Sequence, residues 1–558
     1  MIEIKQKKPE QKKPELLMPA GNLERLKTAI LYGADAVYIG TPDMSLRVKS
    51  SFSLEDVVEG INYAHSYNKK VYLTLNLFSH NKDIEKLPQF IATVKEVKPD
   101  GLIVSDPGVF QFVRSQAPEL ELHISTQANV CSWLTVDFWQ KQGAKLVVMA
   151  REVSFDELKE IRQKCPDIKL ETFIHGSMCM TYSGRCLLSN FMAERGANQG
   201  SCAHSCRWGY KLKIKLKDNT EHEIEINDNN KDLFDFFLEE EIRPGSLMPF
   251  EEDVNGSYIL NSKDLCLLPK LDEYIKLGLD SFKVEGRNKT EFYVGSVARV
   301  YRSAIDDYFQ NPENWCADDY MDEVNAVANR GYTLAFHDGR LTNLAHDYES
   351  TGSTSFYEFA GKVLEWRDDD IIIEAKNLLE AGDVLEFLSP LQREPILLRI
   401  YEFKMLKIHK NGVEEIIVCD KLHGGQKPKF IISASAFHLF DKQKIKDLLP
   451  THTLIRKEKI DIEQERLKVE SRQLSHQFEA GEVREEKYQN KRQKYFQALE
   501  IGNEKISPRT PRIGTEGCCG KGCNGCLIFW HDEKYQKARE ILKTKKIGEM
   551  LIPFPFFN

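Results

Sequence analysis

The sequence predicts an α/β protein built on a TIM-type (β/α)8-like barrel, with a doubly wound open sheet as the alternative. Three observations predict it. From Glu15 to about Gly176, short apolar runs alternate with amphipathic segments, and strands alternating with helices call for a parallel sheet. Seven such units precede a cysteine-rich stretch, and an eighth candidate strand, SFKVEGR (281–287), follows it with a helix pattern behind. The chain of 558 residues, 41% hydrophobic and 29% charged, has the composition of a globular protein and the length of several domains.

The candidate strands are ELLMPA (15–20), AVYIG (36–40), KVYLTLN (70–76), GLIVSD (101–106), ELHIST (121–126), LVVMAR (146–151) and KLETFIHG (169–176). Between them, Leu54, Val57, Val58 and Ile61 recur at helical spacing behind Ser53, an N-cap residue. A second helix opens at Ser154, with Glu157 at the capping-box spacing. In a barrel of this kind the chemistry sits just after the strands. That places Asn76, Asp106, Gln127, Arg151, His175, Glu285 and Arg287 around one mouth, together with the cysteine-rich segment 175–210.

Five regions follow in order. Residues 1–14 read as a flexible basic N-terminus, and 15–350 as the barrel, with an insertion at 207–275. Residues 351–450 carry evenly spaced strand-like runs (GKVLEW, IIIEA, DVLEFL, ILLRIYEF, EEIIVCD) without helices between them, which predicts a small β-barrel domain. Within it Arg393, Arg399, Lys404, Lys407 and Lys410 read as a modest basic patch. Residues 451–505 are highly charged, with Ile460, Leu467 and Leu474 at heptad spacing, and read as a helical segment. Residues 506–558 form a cysteine-rich tail.

A net charge of −8 argues against a protein coated in basic surface, but leaves room for a local groove for nucleic acid. No apolar run approaches the roughly 18 residues that cross a bilayer. The start, MIEIKQKKPEQKKPE, lacks the apolar core of a secretory signal. The expected location is the cytoplasm, without a membrane partner. In that reducing compartment 13 cysteines are not a disulfide framework.

Eight of the cysteines fall in two clusters. Cys179, Cys186, Cys202 and Cys206 lie among glycines within 28 residues, a spacing that can wrap a tetrahedral four-sulfur site. Such a site suits zinc or an iron–sulfur cluster, and the wide first pair favours iron–sulfur over the tight knuckles of structural zinc. Arg185 and Arg207 adjoin two of these thiols, where positive charge stabilises thiolates or recognises an anionic substrate. Cys518, Cys519, Cys523 and Cys526 make a second candidate site for zinc or another cluster.

Several separated motifs carry a resemblance in the same order: Glu171-x-Phe173-x-x-Gly176-Ser177-Met178-Cys179, Ser183-Gly184-Arg185-Cys186-x-x-Ser189, and Asn198-x-Gly200-x-Cys202-x-x-x-Cys206-Arg207. With ELLMPAGNLERLKTAILYGADAVYIG, NSKDLC (261–266) and FKVEGR (282–287), they resemble the collagenase-like peptidases of unassigned catalytic type, closely over residues 15 to 310. That family includes prephenate-dependent tRNA and ribosomal-RNA hydroxylases and hydroxylases of quinone precursors. The branch resembled most makes 5-hydroxyuridine at the tRNA wobble position. The resemblance implies a 4Fe-4S cluster on Cys179, Cys186, Cys202 and Cys206, with tRNA or ribosomal RNA as partner and prephenate as oxygen donor. The two carboxylates of prephenate require cations, for which Arg151, Arg185, Arg207 and Arg287 are the candidates. Asn76 and Gln127 complete the substrate-binding set, and His175, Glu285 and Arg287 are the candidate catalytic residues. The family name leaves a metal- or cysteine-dependent peptidase as the rival reading.

Overall fold

Every barrel strand in the computed structural model is a short apolar run whose alternate residues face a ring of helices on one side and the barrel lumen on the other. The structure describes residues 12–40, 52–77, 79–179, 181–182, 188–193, 202, 205–207, short strand pieces between 214 and 257, 262–339, 345, 353–409, 412–438 and 441–459. Strands β1 (Glu15–Pro19), β2 (Ala36–Gly40), β3 (Lys70–Leu75), β4 (Gly101–Val104), β5 (Leu122–Ile124), β6 (Leu146–Val148) and β7 (Lys169–Ser177) pair in parallel, each with the next. Strand β8 (Asp264–Cys266) runs antiparallel along the end of β7, with Cys266 opposite His175. Strand β9 (Ser281–Val284) pairs in parallel with both β7 and β1, closing a barrel of eight parallel strands.

The helices follow from local chemistry. In α1 (Leu23–Leu31) the Asn22 side chain accepts from the Arg25 amide, and α2 (Leu54–Ser66) starts on a Ser53–Asp56 capping box. The ring continues with α3 (Leu87–Val97), α4 (Pro107–Gln116), α5 (Trp133–Gln142) and α6 (Phe155–Lys164). The capping box predicted for α6, Ser154 with Glu157, is present. After a short α7 (Leu188–Ala193) come α8 (Leu271–Leu277), α9 (Glu291–Gln310) and α10 (Asp318–Asn325). Leu16, Met18, Val37, Ile39, Val71 and Leu73 pack outward into the helix ring, whereas Leu17, Ala36, Tyr38, Tyr72 and Ile103 form a separate cluster in the lumen.

Residues 264–275, placed in the insertion by the sequence pattern, instead belong to the barrel: they form β8 and most of α8. Strand β10 (Tyr332–Thr333) pairs beside β8.

The second sheet is antiparallel and curled, with strands β11 (Tyr357–Arg367), β12 (Asp370–Ala375), β13 (Val384–Leu388), β14 (Ile396–Arg399), β15 (Phe403–Ile408), β16 (Glu414–Cys419), β17 (Lys429–Ser433) and β18 (Leu454–Glu458). Their spatial order is β14-β13-β18-β11-β12-β17-β15-β16. Here the 451 boundary gives way: LIRKE (454–458), read as the start of a charged helical segment, is a central strand between β11 and β13. Its two cations are buried and satisfied. Arg456, 1% exposed, donates to Glu323 and Glu386 and lies over the Tyr357 ring, and Lys457 pairs with Asp383. The Tyr32 hydroxyl donates to the Leu388 carbonyl and accepts from the Leu454 amide, so the sheet is bonded directly to α1 of the barrel. Residues 460–505 and the tail thiols Cys518, Cys519, Cys523 and Cys526 lie outside the described residues.

The basic run in this sheet does not form one surface. Arg393 stacks on Tyr320 of α10, Arg399 donates to the Gly382 carbonyl, and Lys404 and Lys407 fall on opposite faces of β15.

Candidate active site at the barrel mouth

Two buried ion pairs span the lumen side of β6, β7 and β9. Deeper in, Lys283 of β9 donates to Glu171 of β7 at 2.7 Å, and Ser281 donates to the other Glu171 oxygen at 2.7 Å. The Lys283 ammonium lies 4.6 Å from the Tyr38 ring centre. Two residues on, just past the end of β9, Glu285 accepts from Nη2 of Arg151 at 3.0 Å. Arg151 donates from Nη1 to the Ser177 carbonyl at 3.2 Å and stacks on Phe173, 4.1 Å from its ring centre. Gly176, with φ +121°, lets β7 press against β9: a Cβ there would stand 2.6 Å from the Glu285 carbonyl oxygen.

Arg287 is buried and donates to the Thr74 hydroxyl at 2.8 Å, near the Tyr38 ring. Its own carbonyl accepts from Arg25 of α1. Asn76, just past β3, donates to Ser125 at 3.5 Å. Gln127, in the turn Thr126–Ala128 after β5, has a buried Oε1 with no partner among the described residues. Asp106 is an N-cap: it accepts from the Val109 amide at the start of α4.

His175 is 1% exposed and sits among the rings of Tyr332, Tyr301 and Tyr293, 5.4, 5.6 and 5.9 Å away. The Tyr301 hydroxyl is 3.4 Å from Nδ1, and Nε2 has no partner among the described residues. Burial lowers the His175 pKa to about 3, so the ring is neutral at physiological pH. The same tyrosine hydroxyl lies 3.6 Å from the Cys266 thiol, whose pKa burial pushes up to about 11.

The thiol segment leaves the barrel directly from β7. Cys179, two residues beyond that strand, is exposed, and Cys202 and Cys206 are half-buried. Cys206 lies in the single turn Ser205–Arg207, which packs against α7. These three are not core residues in the way of Cys165 and Cys266. Cys186 and Arg185 lie outside the described residues, and Arg207 is placed only as part of that turn. Among the described residues no three His, Cys, Asp or Glu side chains come together as a metal cage. The donor chemistry of the segment, soft thiols with access to solvent, fits an iron–sulfur cluster or zinc.

Glu171, Lys283, Ser281 and Thr74 were not named as site residues from the sequence, although Glu171 and Lys283 lie in its quoted motifs. A signal was there: Glu171 and Lys283 are charged residues at inward-facing positions of otherwise apolar strands, in step with Phe173 and Glu285. The tyrosines around His175 come from α9 and β10 and left no local trace.

The profile described as Peptidase family U32 matches residues 21–346, the whole barrel from α1 onward. The chain belongs to this family. Among the relatives of this chain, the tRNA hydroxylation protein P of Escherichia coli is 39% identical over 400 residues, covering 68% of this chain and 86% of that protein. The tRNA hydroxylation protein P1 of Bacillus subtilis is 37% identical, covering 68% and 84%. The 23S rRNA 5-hydroxycytidine C2501 synthase of Escherichia coli is 34% identical, covering 52% of this chain and 39% of that protein.

Proposed function

We propose that this U32 protein hydroxylates a pyrimidine in RNA, forming 5-hydroxyuridine at the wobble position of tRNA, with prephenate as the oxygen donor. The observation that carries the reading is the 39% identity to a tRNA hydroxylation protein over 86% of that protein's length. A base attacked at its ring carbon must leave its stack and enter a pocket, and we assign that role to the barrel mouth, where the strand ends gather. Asn76 and Gln127 supply amide groups of the kind that read a base edge. Arg287, held on Thr74, supplies a buried guanidinium for a carboxylate of the donor, with Arg185 and Arg207 as further cations from the thiol segment.

Cys179, Cys186, Cys202 and Cys206 are the residues that would hold a 4Fe-4S cluster, which supplies one-electron chemistry when bound. The chain's own residues do the remaining work. Glu285 offers its carboxylate as a hydrogen-bond acceptor or base, and the fork of Arg151 keeps that carboxylate aimed. His175 acts from within its tyrosine cage as a neutral, oriented ring. The peptidase reading draws no support from it, because its hydrogen-bonding neighbour among the described residues is Tyr301 and not a serine or a thiol.

The test is nucleoside mass spectrometry of separated tRNA and ribosomal RNA from a deletion strain complemented with wild type or Cys179→Ser. The expected result is one hydroxylated pyrimidine lost from tRNA, restored by wild type and not by the variant. Loss from ribosomal RNA instead would move the substrate to that class. Intact nucleosides in both would overturn the proposal.

A further inference from the structure

Arg151 stands where a substrate cation was expected, yet its guanidinium is already engaged on three sides. One nitrogen binds Glu285 at the end of β9, the other binds the Ser177 carbonyl at the end of β7, and the plane lies on Phe173. Arg151 itself follows β6. A single side chain therefore ties three neighbouring strand ends together, two residues before Cys179. From the other side, the close approach of Gly176 to the Glu285 backbone fixes the same point, and Tyr293 donates to the Glu285 carbonyl at 2.8 Å.

We propose that Arg151 is a positioning residue, which with Glu285 sets the take-off of the thiol segment so that Cys179 meets the other thiols in a metal-binding arrangement. A planar fork is required for this task. Lysine keeps the charge but donates from one point, and cannot hold a carboxylate and a carbonyl on two strands in fixed geometry. The inference rests on the thiols being the metal site, and its test uses neither RNA nor prephenate.

The full chain, stripped of metal under anaerobic conditions, is titrated with cobalt(II), and the thiolate-to-cobalt absorption is followed in wild type, Arg151→Lys and Glu285→Ala. Both variants remove the same tie from opposite ends. Each is expected to weaken cobalt binding by about tenfold or more, the usual cost of losing a group that orients a ligand. Alkylation mapped by mass spectrometry provides the control, since Cys165 and Cys266 are 3% and 1% exposed. They are expected to remain protected in both variants.

Unchanged cobalt affinity in the variants would overturn the proposal and return Arg151 to the role of substrate cation. Labelling of Cys165 and Cys266 in the variants would also overturn it, by showing that the tie supports the whole barrel. Wild type that takes up no cobalt through its thiols would remove the metal-site reading and this proposal together. Cobalt uptake as expected, alongside unaltered nucleosides in a deletion strain, would leave the positioning role standing and remove the RNA reading alone.

Discussion

The two lumen ion pairs of the barrel use the same chemistry to different ends. Glu171–Lys283 is 1% and 6% exposed and closes on itself: the second carboxylate oxygen takes Ser281, and the ammonium rests on Tyr38. Arg151–Glu285, at 7% and 12%, is nearly as buried but is not closed, because the arginine spends its second nitrogen on a main-chain carbonyl at the root of the thiol segment. The first pair is internal to the scaffold. The second transmits the geometry of the scaffold to the segment that carries the chemistry. What separates them is the third partner of each pair rather than charge or depth.

The largest effect should come from the deeper pair. Lys283→Met leaves Glu171 buried beside Ser281 alone, and breaking a buried pair from one side costs about 3–5 kcal/mol. Chemical denaturation should show that loss, and Glu171→Leu added to Lys283→Met should recover much of it. Arg151→Lys keeps a cation beside Glu285 and should cost less than Lys283→Met in the same assay. Equal losses would erase the distinction between the two pairs.

Gly176→Ala comes next. The added Cβ meets the Glu285 carbonyl at 2.6 Å, in a backbone conformation with φ +121°. Backbone strain of that kind costs about 1–3 kcal/mol. Because the strain falls on the take-off of the thiol segment, complementation of nucleoside hydroxylation should fail even at temperatures where circular dichroism shows the variant folded. Full complementation by Gly176→Ala would mean that the approach of β7 to β9 matters for packing alone.

The rim was legible in the sequence because strand ends are legible. Arg151, Glu285 and Arg287 each follow, and His175 nearly ends, a run whose apolar pattern marks where the strand stops, and a closed barrel gathers those ends. What each residue faces was not legible. His175 shares the parity of Phe173, but a register shift between β9 and β7 and the tyrosines of α9, more than a hundred residues away, set its surroundings. Strand β18 was misread for a related reason. Arg456 and Lys457 make LIRKE look solvated, and their partners Glu323, Glu386 and Asp383 lie 70 or more residues earlier in the chain. Local pattern records which side of an element is apolar, whereas the partner of a buried charge is a property of the closed fold.

The smallest expected effect tests the end of the barrel opposite the mouth. There Glu121, just before β5, accepts from His123 at 3.1 Å and from Lys169 at 3.1 Å. The hydrogen bond from His123 is the largest influence on its carboxyl; burial opposes it and Lys169 adds to it, and the pKa falls from 4.5 to about 2. A carboxyl whose pKa is lower in the folded than in the unfolded chain stabilises the fold when charged. That contribution is complete above pH 4.5 and is lost as the pH falls toward 2. His123→Leu, at a position 1% exposed and packed on Tyr72, removes the main cause while keeping an apolar filling. Stability of wild type should therefore fall more steeply than that of His123→Leu between pH 4.5 and 2, with the two curves parallel above that window. The difference should be small, because Glu121 is 34% exposed and water screens the interaction. Identical slopes would show that Lys169 alone holds the carboxylate. A difference that persisted below pH 2, where the carboxyl is protonated in both proteins, would show that His123 acts through its packing on Tyr72, so that this end of the barrel, like the Glu171–Lys283 layer, is held by what fills it.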